Sequence, residues 1–296
     1  MNSLVPPVQH PPVWARESPH LQREAALAQV WQRLSPRLAR SAERACRHVT
    51  ARAADMPCEP GPDGVAVRVA YDTDAAAAQP GEPIRIRLID LPAGVCVELP
   101  IDAGADSAWL VMNGAAQIGG VPCAALDYQQ RHAGDSRVML SSAGGARLML
   151  REARPYLLDP GGVSDVDATR ATSASPTTRT TTLTTLTTLT TRADQMAWEP
   201  LAEGISRRLL APPRGAAAAY LVRMAPGAAA PAHRHGRAEE CMLLAGEMYL
   251  DDLLLFGGDF QLAQAGGLHH EASSEHGVLL AVHGDLDLDV ISTELR

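Results

Sequence analysis

The sequence predicts a mainly β protein, with two barrel- or sandwich-type domains preceded by a short helical segment. Short apolar runs such as IRIRLIDL, LVRMA, ECMLLAGEMYL and GVLLAV alternate with turns bearing Gly, Pro and Asp, the pattern of all-β sandwiches and barrels. That pattern occurs twice, as an internal duplication. Finally, 296 residues of which 46% are hydrophobic suffice for the core of one or two domains.

Along the chain, residues 1–17 are Pro-rich and read as disordered. Residues 18–52 read as a helical pair. Leu21, Leu27, Val30, Trp31 and Leu34 recur at helical spacing, and Ser35-Pro36 reads as a break and a new start, with Ser35 as cap and Pro36 in the first turn. Leu38, Ala42, Ala45, Cys46 and Val49 continue the pattern in a second short helix.

Residues 53–158 and 195–296 are the two copies. ADMPCEP at 54–60 resembles ADQMAWEP at 193–200, and LIDLPAG ending at Gly94 resembles LVRMAPG ending at Gly227. VMNG ending at Gly114 lines up with LLAG ending at Gly246, and SSAGGARLML from Ser141 with SSEHGVLLAV from Ser273. The offset is 133 residues at Gly94 and 132 from Gly114 onwards, which implies one indel. A unit of about 100 residues is too long for a solenoid repeat and has the size of a domain. Residues 159–194 between the copies are Thr-rich, with Leu183, Leu186 and Leu189 at a three-residue period that suits neither strand nor helix. A flexible linker is expected there.

Composition narrows the function classes. The net charge of -8 argues against a nucleic-acid surface. All 26 basic residues are Arg, so Schiff-base lysine chemistry and a P-loop lysine are excluded. Five scattered cysteines, never spaced C-x-x-C, predict neither a disulfide framework nor a cysteine-based zinc knuckle. No run approaches the roughly 20 apolar residues of a membrane span, and the start lacks the pattern of a signal peptide. The expected location is the cytoplasm.

The chemistry is concentrated in the second copy. His233 and His235 alternate to the same face of a strand. Glu239 keeps their odd parity, Glu240 should face outward, and His269 arrives on a later strand with His270 on its opposite side. Glycines frame the set: Gly227 six residues before His233, Gly246 seven after Glu239, Gly266 three before His269. Three neutral imidazoles and one carboxylate suit Zn, Fe, Mn, Ni or Cu and leave one or two positions open.

These spacings resemble the two motifs of the cupin superfamily. Residues 227–246 match the first and 258–269 the second, with Gln264 where the family usually has Pro. The resemblance covers residues 195–296 well and 55–155 more faintly. It implies a bicupin, two cupin (jelly-roll β-barrel) domains, with His233, His235, Glu239 and His269 as ligands of one divalent metal, zinc first and Fe, Mn or Ni as alternatives. The leading WEP segment, the Glu239-Glu240 pair and the GE…GD…SS…G run look most like the cupin-like domain of ChrR-type anti-sigma factors, a zinc-binding barrel that takes part in a stress response. That family grips its sigma factor through a helical zinc module with His and paired Cys ligands. Here His20, Cys46 and His48 are present but no paired cysteines follow.

In the first copy His233 corresponds to Pro100, His235 to Asp102, Glu239 to Asp106 or Ser107, and His269 to Arg137. Proline cannot ligate and arginine repels a cation, so this barrel is expected to be structural. Two classes of function stay open. The first is a regulator or sensor in which the N-terminal helices meet a sigma factor or other protein. The second is a metal-dependent dioxygenase of the diketone- or flavonol-cleaving type, or a lyase. Catalysis would need further polar groups, for which Tyr249, Tyr220 and His283 are the candidates, while Glu240 and His270 are expected to be solvent-exposed. A small-molecule ligand in the C-terminal barrel and a homodimer are the remaining expectations.

Overall fold

The computed structural model describes residues 28–39, 48–73, 83–154, 188–211 and 217–285. The chain divides into two compact units, Met1–Arg47 and His48–Arg296. In the first, the described residues form one helix over 28–39, whose Val30, Trp31, Leu34 and Leu38 are exposed. The break expected at Ser35-Pro36 does not occur. Proline removes one backbone bond, and the Ser35 hydroxyl donates to the Trp31 carbonyl (2.7 Å), yet the helix continues through both residues. The second helix is also corrected at its end: Val49 lies in a strand, His48–Ala51. Residues 1–17 and 40–47 fall outside the described set. No described helix is long and apolar enough to cross a membrane.

The second unit holds two barrels built strand for strand alike. In the first, Ala146–Ala153 lies between Ile84–Leu91 and Asp106–Ile118. In the second, Val278–Asp285 lies between Ala217–Met224 and Glu239–Leu250. The likeness extends to defects: the register slips at Met112 in one barrel and at Leu244 in the other. Gly114 and Gly246 show why these positions stay glycine. Both have positive φ (78° and 81°), and a Cβ would stand 2.3 Å from the Gly145 carbonyl oxygen and 2.0 Å from that of Gly277.

Alternation sorts the side chains into three cores. Trp109, Val111, Leu148 and Leu150 fill the first barrel, and Cys241, Leu243, Leu280 and Val282 fill the second. The opposite faces of the same strands pack against each other: Ile86, Leu88 and Leu110 from one barrel meet Leu221, Met242 and Phe260 from the other. Each large sheet is therefore buried on both faces, which explains its nearly continuous apolar runs.

The opening strands are exchanged. His48–Ala51, which precedes the first barrel in sequence, pairs with Phe260–Ala263 of the second. Thr188–Thr191, which precedes the second barrel, pairs with Tyr128–Arg131 of the first. Matching clamps hold both. Arg52 bonds Asp259 (2.9 Å) and the Leu254 carbonyl, while the Ala53 N–H donates to Asp259 (2.8 Å). Arg192 bonds Asp127 (2.8 Å) and the Pro122 carbonyl (2.5 Å), while the Ala193 N–H donates to Asp127 (2.9 Å). The linker expectation is thus corrected at its end. β-Branched Thr188, Thr190 and Thr191 find a sheet edge to extend, and Gln129 reaches Thr190 Oγ1 at 3.3 Å. The rest of the linker, 159–187, lies outside the described residues.

Candidate metal centre

Two short strands deliver the histidines. His233–Arg234 pairs with Leu268–His269, with His233 directly opposite His269. The His235 N–H then donates to the Gly267 carbonyl (2.9 Å) and the Gly266 N–H to the His235 carbonyl (2.7 Å). That reciprocal pair ties the first motif to the turn leading into His269. Nitrogens of His233, His235 and His269 consequently lie within 4.8 Å of one another. All three residues are buried, at 8%, 3% and 3% exposure.

The second ring nitrogens have assigned surroundings. His233 Nδ1 lies 2.9 Å from the Pro231 carbonyl, which leaves Nε2 as its electron-pair donor. His235 Nδ1 stands 3.7 Å from Glu239 Oε2, and its buried Nε2 meets no hydrogen-bond partner in the protein. His269 Nδ1 stands 3.8 Å from Asp251 Oδ2. A hydrogen-bonded Nδ1 on His233, and buried ring nitrogens on His235 (Nε2) and His269 (Nδ1) that make no hydrogen bond, leave electron pairs for a cation. Burial lowers the His233 pKa, and burial together with repulsion from His269, His233 and His48 brings His235 down to about 2. The His233 and His235 rings are therefore held in the neutral form that ligation requires. Asp251 is itself fixed. Burial would raise it, but His269 and the backbone N–H groups of His270 (2.8 Å) and Glu271 (3.1 Å) hold it at about 2. The donor set fits a divalent metal.

Glu239 stands outside the cluster of three, with Oε2 3.7 Å from His235 Nδ1. Burial pushes it up to about 7. Beside it the Tyr220 hydroxyl donates to the Asp285 carbonyl (2.8 Å) and lies 3.4 Å from Glu239 Oε2. Of the other catalytic candidates, Tyr249 sits at the far end of the Glu239–Leu250 strand, opposite Leu254 and Ser273. His283 lies on the face toward the first barrel, 3.5 Å from Glu240.

Glu240 corrects an expectation. It does face away from its own barrel, but what lies there is the other barrel rather than water. Arg151 grips it with two bonds of 2.7 Å; Glu240 is buried and Arg151 partly so. Burial would raise the Glu240 pKa, but Arg151 and His283 pull it down to about 2. His270 is exposed, as expected.

The sequence reading missed His48 as part of this site. Carried in by the exchanged strand, its ring stacks on His269 with centroids 4.6 Å apart and planes 28° from parallel. The signal was present: Arg52 and Arg192 stand alike ahead of the two copies, marking strands that belong to the repeat.

The register places the corresponding residues of the first barrel. Pro100 pairs with Arg137 as His233 pairs with His269, and Ser107, opposite Arg131, is the counterpart of Glu239, opposite Ala263. In place of ligands there is a buried ion pair, Arg87 with Glu152 at 2.9 Å. Arg87 also donates to the Pro100 carbonyl (3.1 Å), and Glu152 accepts the Asp102 N–H (2.8 Å). A cavity of about 430 Å³ opens there, lined in part by Arg85, Arg87, Asp102, Glu152 and Arg154.

Comparison with known proteins agrees with this architecture. Residues 187–286 match the family model described as the ChrR cupin-like domain. No curated protein matches the sequence. Among solved structures, a proposed dioxygenase from Nostoc punctiforme is similar at 14% identity and a TM-score of 0.59, over 83% of this chain and 86% of that one. A proposed glyoxylate-induced protein from Pseudomonas aeruginosa is similar at 14% and 0.57, over 81% and 89%. The oxalate decarboxylase of Lactobacillus farciminis, in its formate complex, is similar at 13% and 0.57, over 81% and 87%. At such identities the likeness is one of fold: the chain has a two-barrel, bicupin-like fold, and residues 187–286 of it resemble the ChrR cupin-like domain.

Proposed function

We propose that this bicupin holds one divalent metal, zinc, in its C-terminal barrel and acts as a sensor or regulator of the ChrR-like type. The observation that carries this is the burial of His233, His235 and His269 with ring nitrogens within 4.8 Å of one another. Such a site is built to retain an ion. When bound, the metal would act as a fixed charge cross-linking the two motifs. The exposed Val30, Trp31, Leu34 and Leu38 of the N-terminal helix supply the surface for a partner protein, such as a sigma factor. That contact would differ from the family's zinc module, since no paired cysteines follow Cys46.

A second reading is a metal-dependent dioxygenase or lyase, favoured by Glu239 and Tyr220 lying together beside His235. In that reading the carboxylate would orient or exchange a proton with a small substrate. Metal analysis of the chain purified without added metal tests both. One tightly held zinc per chain, lost in the folded H233A/H235A double variant, supports the sensor. Labile iron with oxygen uptake on a diketone or flavonol supports the enzyme. A double variant that still holds one metal per chain refutes the site.

A further inference from the structure

His48 lies more than 180 residues before His233 in sequence, yet it is buried against the turn that completes the proposed metal site. Its strand adds to the sheet edge with His48 opposite Ala263 and Ala51 opposite Phe260. The imidazole then covers one face of His269. Its fit is close: a Cβ at Gly267 would come within 2.6 Å of His48 Nε2. Gly267 belongs to the same turn whose backbone bonds His235 on both sides. One ring therefore packs on His269 and on the turn that links His269 to His235.

The duplication supplies an internal control. Thr188 occupies the equivalent place in the other exchanged strand, opposite Arg131 where His48 stands opposite Ala263. Both strands keep the clamp arginine, Arg52 or Arg192. The imidazole, however, occurs only in the strand that lands on the barrel with three histidines. Docking of the strand thus needs no histidine; the metal-site barrel is where one is found.

We propose that His48 is a positioning residue of the metal centre, delivered by strand exchange, so that full affinity for a divalent cation requires residues 48–53 to be docked on the C-terminal barrel. The inference rests on the metal-site reading above. Stacking restrains the His269 ring in the orientation that ligation needs, and metal binding in turn favours the docked strand, since linkage is reciprocal. Anything that withdraws the N-terminal segment would then loosen the metal.

The test is competition titration of the full chain with Zn(II), paired with visible spectra of the Co(II) form. His48→Ala is expected to weaken Zn(II) by about 10- to 100-fold, the range for residues that orient ligands, and to change the Co(II) spectrum. His48→Phe, which keeps a flat ring, should recover most of the affinity. Arg52→Ala, which loosens the strand away from the rings, should weaken binding in the same direction. Affinity within twofold of wild type and an unchanged spectrum in His48→Ala overturn the inference. Equal losses in His48→Phe and His48→Ala overturn positioning by stacking, because they trace the effect to a ring nitrogen. If His48→Ala does not fold, the other two variants decide. A wild-type chain that binds no Zn(II) refutes the metal site and this inference together, whereas a binding wild type beside an equally tight His48→Ala refutes the inference alone.

Discussion

Replacing Arg151 with methionine isolates the force that joins the two barrels. Arg151 and Glu240 form a two-bond ion pair, with side-chain exposures of 12% and 9%, in an otherwise apolar interface of Ile86, Met149, Met242 and Phe260. Removing one partner of such a pair strands the other charge and costs about 3–5 kcal/mol. His283 stands 3.5 Å from Glu240 and remains beside the carboxylate in the variant. At about 2–4 °C per kcal/mol for a unit of this size, R151M should melt roughly 10 °C below wild type at pH 8. The pH dependence has a definite sign. A depressed carboxyl pKa contributes stability above the unfolded value of 4.5 and loses it as pH falls toward the folded value of about 2. The gap between wild type and R151M should therefore be widest above pH 5 and shrink on acidification. The double variant R151M/E240M should recover most of the loss, since an apolar pair suits this surface. Thermal melts from pH 8 to pH 3 measure all three. An R151M chain within 1 kcal/mol of wild type at pH 8, or a gap that grows in acid, would refute the reasoning.

Three further outcomes are expected. D259A removes the acceptor of Arg52, of the Ala53 N–H and of the Phe256 N–H; by leaving part-buried donors unpaired it should cost about 1–2 kcal/mol and speed amide exchange in residues 48–53 before the rest of the sheet. G246A places a Cβ 2.0 Å from the Gly277 oxygen at a φ of 81°, so a loss of at least about 2 kcal/mol in denaturant melts is expected. Zn(II) at a hundred times its dissociation constant should raise the stability of wild type by about 2.7 kcal/mol, reversibly with a chelator, and should leave H233A/H235A unmoved.

Much of this architecture is legible in the chain because it depends on local periodicity. Alternation places Glu239 inside its barrel and Glu240 outside it, and the glycines at 227, 246 and 266 mark positions of positive φ. The spacing of His233, His235 and His269 survives folding because neighbouring strands bring fixed positions together. What lies on the far side of a strand is not written in its own alternation. Glu240 reads as a surface carboxylate until Arg151, 89 residues earlier, is laid against it.

The sequence by itself determined the duplication, the barrel class, the three imidazoles and the presence of Pro100 and Arg137 at the positions matching His233 and His269. Each follows from residue type and spacing within one copy or from comparing the two. Only the tertiary structure decided which barrel receives each opening strand, that Glu239 abuts His235 rather than joining the three histidines, and that His48 comes to rest on His269. These are contacts across long stretches of chain. Their geometry is set by which sheet edge is open and which faces pack, and no local pattern of residues records that.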